Sequence, residues 1–172
     1  MPLKLRVVRD RSRLMIEGRS NLHAIKASTS KLDGWLELEL LPDGALDASK
    51  PVTGRLEAEV ESLKSGIDIY DMELRRRLDV RRYPMIIVEL LAVREVHPVR
   101  QYQLTGSVTF HGTTRRAEGS LAVTKLDERT VEAVGEQTFD VRDFGLTPPK
   151  VLMFAVNPAV KVKLQLVAER AD

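Results

Sequence analysis

The sequence predicts an all-β fold with one inserted α-helix, an eight-stranded antiparallel β-barrel formed as a single domain over residues 1–172. Three observations carry this expectation. Apolar and polar residues alternate in segment after segment, the period of a strand with one buried face. Turn signals such as Pro42-Asp43-Gly44, His97-Pro98 and Asp127-Glu128 separate those segments at short intervals. Only residues 67–78 switch to spacings of three and four, the mark of an amphipathic helix. Closure into a barrel is expected because it leaves no sheet edge exposed.

An early short strand is expected around Leu14 to Ile16. In residues 34–41, Leu36, Leu38 and Leu40 share one face while Trp35, Glu37 and Glu39 share the other. Residues 52–62 set Leu56, Ala58 and Val60 against Arg55, Glu57, Glu59 and Glu61. The helix follows. Ile67, Tyr70, Leu74 and Leu78 form its apolar stripe, Asp68 stands where a cap belongs, and Asp71 follows three residues later. Arg75, Arg76 and Arg77 in its last turn complement the helix dipole, and Pro84 lies beyond its end. Strands resume with Ile86, Val88 and Leu90 inward, then Tyr102, Leu104, Val108 and Phe110, then Ala117, Gly119, Leu121 and Val123. Residues 130–139 form the seventh strand, and Val160, Val162, Leu164 and Leu166 alternate with Lys161, Lys163 and Gln165 in the last.

With 172 residues, 43% of them apolar, the chain is long enough to bury about 70% of its unfolded surface, so a core without disulfides or metal suffices. A net charge of +2, with acidic and basic residues interleaved and only 5% aromatics, argues against a nucleic-acid partner. The absence of cysteine excludes disulfides and thiolate chemistry. Charges at Lys4, Arg6, Arg9, Asp10, Arg11 and Arg13 interrupt any signal-peptide core, and no segment approaches the ~18 apolar residues of a membrane span. A cytoplasmic protein without stable membrane insertion is the expectation.

The inner faces hold no carboxylate pair and no His/Ser/Asp grouping, so neither an enzyme nor a cofactor is expected. His23, His97 and His111 lie far apart and lack ligand-spaced partners, which argues against a metal site. Asp143-Phe144-Gly145 matches the magnesium-binding tripeptide of protein kinases, but the chain has neither a G-x-G-x-x-G loop nor a His-Arg-Asp. The tripeptide is therefore expected to be a turn, with Phe144 buried as a plug and Asp143 hydrogen-bonded to nearby backbone. Small inward residues, Ala58, Gly106, Ala117, Gly119, Ala133 and Gly135, leave two readings: a ligand-sized tunnel, or a packed core with glycines at bulges.

Three motifs in order suggest a family. They are Asp71, Met72, Leu74, Arg75, Asp79, Val80, Tyr83 and Pro84; then residues 104–114 with Val-Thr-Phe-His-Gly-Thr-Thr; then Asp-Phe-Gly-Leu. Over roughly residues 12–168 the chain resembles the YceI-like proteins. The resemblance implies a lipocalin-like antiparallel barrel with a helix, whose members bind polyisoprenoids or other amphiphilic lipids inside. The function expected from it is binding of an isoprenoid or fatty-acyl lipid, as carrier, store or stress-related scavenger. The candidate ligand-binding lining comprises Leu36, Leu38, Leu56 and Val60 from the early strands, Ile86, Val88, Leu104, Val108 and Phe110 from the middle, and Leu121, Phe144, Val160, Val162 and Leu164 from the end. The alternative is a filled structural barrel acting through a homodimer or partner surface, suggested by the apolar run from Val151 to Phe154 after Pro148-Pro149.

Overall fold

The computed structural model describes residues 2–19, 24–96, 101–146, 150–151, 154–155 and 157–171. The first four strands, β1 (Leu3–Val7), β2 (Arg13–Arg19), β3 (Ala24–Thr29) and β4 (Leu32–Leu38), lead to β5 (Thr53–Glu59) and α1 (Asp68–Leu78). After the helix come β6 (Met85–Val96), β7 (Gln101–Phe110), β8 (Thr113–Lys125) and β9 (Thr130–Asp140). The chain ends with the short β10 (Lys150–Val151) and β11 (Phe154–Ala155) and the long β12 (Ala159–Arg170).

The strands wind up and down in chain order, and antiparallel pairing of β1 with β12 closes the sheet into a barrel. β1 and β2 are successive halves of one stave, and β3 and β4 are halves of the next, so the barrel has eight positions. A single 3-10 turn, Arg9–Arg11, breaks the first stave. Ser12 repairs the ladder there: its Oγ donates to the Val167 carbonyl at 3.2 Å and accepts from the Val167 N–H at 2.9 Å. The alternation in the sequence had shown the β2 and β4 halves only. Leu-Lys-Leu-Arg-Val in β1 alternates strictly but over only five residues in a charged stretch, and Ala-Ile-Lys-Ala-Ser-Thr in β3 has no clean alternation, so pairing with neighbouring strands makes them strands.

One end of the barrel is packed. Leu5, Leu38, Leu46, Val52, Tyr102, Val123, Val131 and Leu166 form a contiguous core there. The connection between β4 and β5 folds across this end, bridging Leu40 to Leu46. Tyr102, only 1% exposed, anchors it: its hydroxyl accepts from the Leu46 N–H at 3.0 Å and donates to the Leu46 carbonyl at 3.2 Å. Tyr102→Phe leaves both backbone groups buried without this partner. It is expected to lower unfolding free energy in urea by about 1–3 kcal/mol, and an unchanged midpoint would show that the hydroxyl is not the anchor.

The other end is built more loosely. β8 and β9 pair only from Ser120 opposite Glu136 to Lys125 opposite Val131. Beyond that point residues 113–119 pair with β7 alone, and residues 137–140 with β12 alone. The two strands splay apart, and a 3-10 turn, Val141–Phe144, fills the gap. Val60, expected on a strand, lies instead in the 3-10 turn Val60–Ser62 that leads from β5 toward the helix. Among the described residues, no helix is long and apolar enough to cross a membrane.

Candidate functional site

The loose half encloses a cavity of about 380 Å³. Its wall comes from alternate residues of nearly every stave. Leu56 faces Val88, and Val88 faces Val108, directly across the ladder. On the opposite side Val162 faces Ile16, and Leu164 faces both Leu14 and Gly135. Directly opposed residues share a face of the sheet, so the alternation places all of these inward.

Eleven residues expected to line a ligand site stand on this wall: Leu56, Ile86, Val88, Leu104, Val108, Phe110, Leu121, Phe144, Val160, Val162 and Leu164. Three do not. Leu36 and Leu38 point inward too low, into the packed end, and Val60 is buried in its turn. The wall also holds residues that the alternation alone had not marked, among them Leu14, Ile16, Ile25 and Phe139. Tyr70, Leu74 and Leu78 of α1 form its roof. Their spacing of four and four in the sequence was the available signal.

The small residues divide between the two readings. A Cβ on Gly106 would stand 2.8 Å from the Glu89 carbonyl, and one on Gly135 2.5 Å from the Ser120 carbonyl, so close backbone approach accounts for both. Gly106 lies opposite Leu90, beside the register shift between Leu90 and Ala92. Ala133 belongs to the packed end. Gly119 is different: on the cavity wall, its nearest neighbour would be the Gln137 Cβ at 3.8 Å. Cavity space rather than backbone geometry explains that glycine.

The helix roof is held at both ends. Asp68 does not cap it; the N-cap is Ile67, whose side chain makes no capping bond. Asp71 does the tethering, accepting from the Ser65 N–H at 2.8 Å and the Ser65 hydroxyl at 2.7 Å. At the other end Asp79 takes a left-handed conformation (φ 49°), its N–H bonded to the Arg75 and Arg76 carbonyls. Tyr83, beyond it, packs on His111 with ring centroids 4.6 Å apart, joining the helix exit to the β7–β8 turn.

Three arginines near the cavity, Arg76, Arg77 and Arg115, have partners among the described residues. Arg76 and Arg77 both reach the Glu73 carboxylate, at 2.7 and 2.9 Å. Hydrogen bonds from Arg76 and then Arg77 hold the Glu73 carboxyl below the usual carboxylate range. Arg115 shares the inner face with Val108, directly opposite it, but its Nε donates to the Asp143 carbonyl at 2.9 Å. Arg116 is exposed on the other face.

The Asp-Phe-Gly tripeptide closes the splay between β8 and β9. Phe144 is 4% exposed, edge-on to Phe110 at 5.7 Å and 6.3 Å from Phe139. Gly145 adopts φ 74°, the left-handed conformation that ends the turn at least cost for glycine. The turn is capped by Asp140, whose Oδ1 accepts from the Arg142 N–H at 2.9 Å. Asp143 contributes its backbone carbonyl instead. Among the described residues no group of His, Asp and Glu is arranged to hold a metal ion. His23 and His97 lie outside the described residues, as do Pro148, Pro149, Leu152 and Met153 of the segment that suggested a dimer contact.

A closed up-and-down barrel, packed at one end and hollow and apolar at the other beneath a helix, defines a cavity-bearing β-barrel. The chain belongs to the YceI-like family, whose domain model matches residues 6–168. Its fold is shared with BcnA of Burkholderia cenocepacia (TM-score 0.78, 17% identity, 94% of this chain and 98% of that one). It is shared equally with a polyisoprenoid-binding domain of Saccharophagus degradans implicated in plant cell wall breakdown (TM-score 0.77, 15% identity, 98% and 99%). A Campylobacter jejuni YceI protein is similar over a smaller share (TM-score 0.63, 11% identity, 81% and 82%). No curated protein matches the chain by sequence.

Proposed function

We propose that this protein binds a hydrophobic or amphiphilic lipid, of polyisoprenoid or fatty-acyl type, inside the barrel and acts as its carrier, store or stress-related scavenger. It is a binding protein rather than an enzyme in this reading, and it uses no cofactor. The observation that carries the proposal is the cavity: about 380 Å³ of space bounded mainly by Leu, Ile, Val and Phe side chains. That volume lies within the ~300–1,000 Å³ range of small-molecule sites. Membership of the YceI-like family and the likeness to a polyisoprenoid-binding domain support it.

The wall provides contact along a chain. Each methylene transferred from water contributes about 0.8 kcal/mol. At roughly 30 Å³ per water-sized group, the space takes on the order of a dozen carbons. After the cost of ordering a flexible tail, roughly micromolar affinity is expected. The eleven wall residues named above are the proposed contacts, and Phe144 is among them as part of the wall between β8 and β9.

Two measurements on the purified chain test this. Native mass spectrometry after organic extraction and re-addition of a fluorescent fatty acid, and titration with the prenyl alcohol farnesol, are expected to show saturable one-to-one uptake. A barrel that takes up neither probe would sink the proposal.

A further inference from the structure

The helix that roofs the cavity carries a second apolar surface, on the side facing away from it. Tyr70, Leu74 and Leu78 point into the barrel, and a helix of this pitch then directs Ile69 and Met72 outward. Ile69 is 50% exposed and Met72 63%, and Ile67, one residue before the helix, is 48% exposed. Nine large apolar side chains are exposed among the described residues, and three of them fall in these six positions. Such concentration on a roof is not needed for folding, because the inward stripe already seats the helix.

The charge near this apolar surface bears on what it meets. Residues 64–84 contain Lys64, Arg75, Arg76, Arg77, Arg81 and Arg82 against Asp68, Asp71, Glu73 and Asp79, so this one segment carries a net charge of +2, equal to the excess of the whole chain. Asp71 is buried and bonded to Ser65, and Glu73 is shared by Arg76 and Arg77, whereas Asp68 and Asp79 are exposed, so the cationic excess is concentrated toward the C-terminal end of the helix and its exit. Arg81 and Arg82 follow on the exposed exit of the helix, with the Arg82 guanidinium 5.4 Å from the Tyr83 ring. Protruding apolar side chains flanked by arginines are the composition of an interfacial element, in which the apolar groups enter the headgroup boundary and the cations meet anionic lipid.

We propose that the outer face of α1, formed by Ile69 and Met72, docks on an anionic bilayer surface together with the exposed Ile67 just before the helix and the exposed Arg81 and Arg82 in the turn beyond it. There the roof of the cavity lies against the membrane from which an apolar ligand is drawn. The direction of the inference rests on the lipid-binding reading above. Contact is peripheral and reversible: the apolar area is three side chains, and arginines supply the remainder of the attraction.

Flotation of the full chain with phosphatidylcholine vesicles, with and without phosphatidylglycerol and at low and high salt, tests the docking. Binding is expected only to the anionic vesicles, weakening as salt rises. Ile69→Ser combined with Met72→Ser, and separately Arg81→Glu combined with Arg82→Glu, are each expected to weaken it about tenfold or more. Uptake of the fluorescent fatty acid in vesicle-free solution is expected to stay unchanged in both. Wild-type protein that takes up the probe yet ignores anionic vesicles overturns the docking alone. Protein that binds vesicles through this face yet takes up no probe overturns the cavity reading and leaves the docking surface standing. If sedimentation velocity shows that Ile69→Ser with Met72→Ser dissolves a dimer while vesicle binding persists, the face belongs to a second copy and the proposal fails.

Discussion

Gly119→Phe is expected to abolish uptake of fatty-acyl and prenyl probes, by a hundredfold or more on the roughly micromolar scale of the wild type, while the barrel stays folded. Gly119 stands on the inner face of β8, opposite Leu104 of β7. An added Cβ there meets nothing nearer than the Gln137 Cβ at 3.8 Å, so the ring has room to enter the cavity without moving backbone. A benzyl group of seven carbons, at roughly 30 Å³ each, takes up about half of the space that a ligand needs. Filling a void adds contacts instead of straining them, so stability should stay within about 1 kcal/mol of wild type. Titration calorimetry and thermal unfolding on the same sample check the two halves. Undiminished affinity in a folded variant would place the ligand elsewhere. Gly106 and Gly135 are unsuitable for this test, because their Cβ atoms would strike the Glu89 and Ser120 carbonyls and binding loss would be confounded with unfolding.

Phe144→Ala is expected to cost about 3–5 kcal/mol in unfolding free energy, the range for truncating a buried aromatic. The ring fills the opening where β8 and β9 part, against Phe110 and Phe139. Asp143→Asn provides the contrast. The Asp143 side chain is exposed and the contact with Arg115 uses its backbone carbonyl, so the change should stay within about 0.5 kcal/mol. If Phe144→Ala shifts the urea midpoint no more than Asp143→Asn does, the ring is not part of the wall. If magnesium stabilises the wild type but not Asp143→Asn, the tripeptide is a metal site after all.

Much of this could be read from the sequence, because strand alternation is a local property. Each of the eight staves contained at least one segment in which every second residue was apolar, and the predicted inward face was the observed one for Leu56, Val88, Leu104, Val108 and Val162. The helix came from its spacing of three and four, and the burial of Phe144 from the absence of any kinase companion to the tripeptide. Ile67 shows the limit of periodicity at an element's edge. It continues the apolar stripe in sequence, but as the N-cap it has left the helical path and is exposed.

Within regular strands and the helix, then, local alternation in the chain fixes which residues face inward and which outward, failing only at element edges such as Ile67 and Val60. The height at which each inward residue sits along the barrel emerges from the assembled fold alone. Leu36, Leu38 and Leu56 alternate identically, yet the first two close the packed end and the third borders the cavity. The tertiary structure likewise made the Asp140 side chain, instead of that of Asp143, the cap of the turn. The difference comes from the range of the interactions. A face is set by the two-residue repeat of one strand, whereas height is set by the stagger between strands and by closure of β1 on β12, residues more than 150 positions apart in the chain.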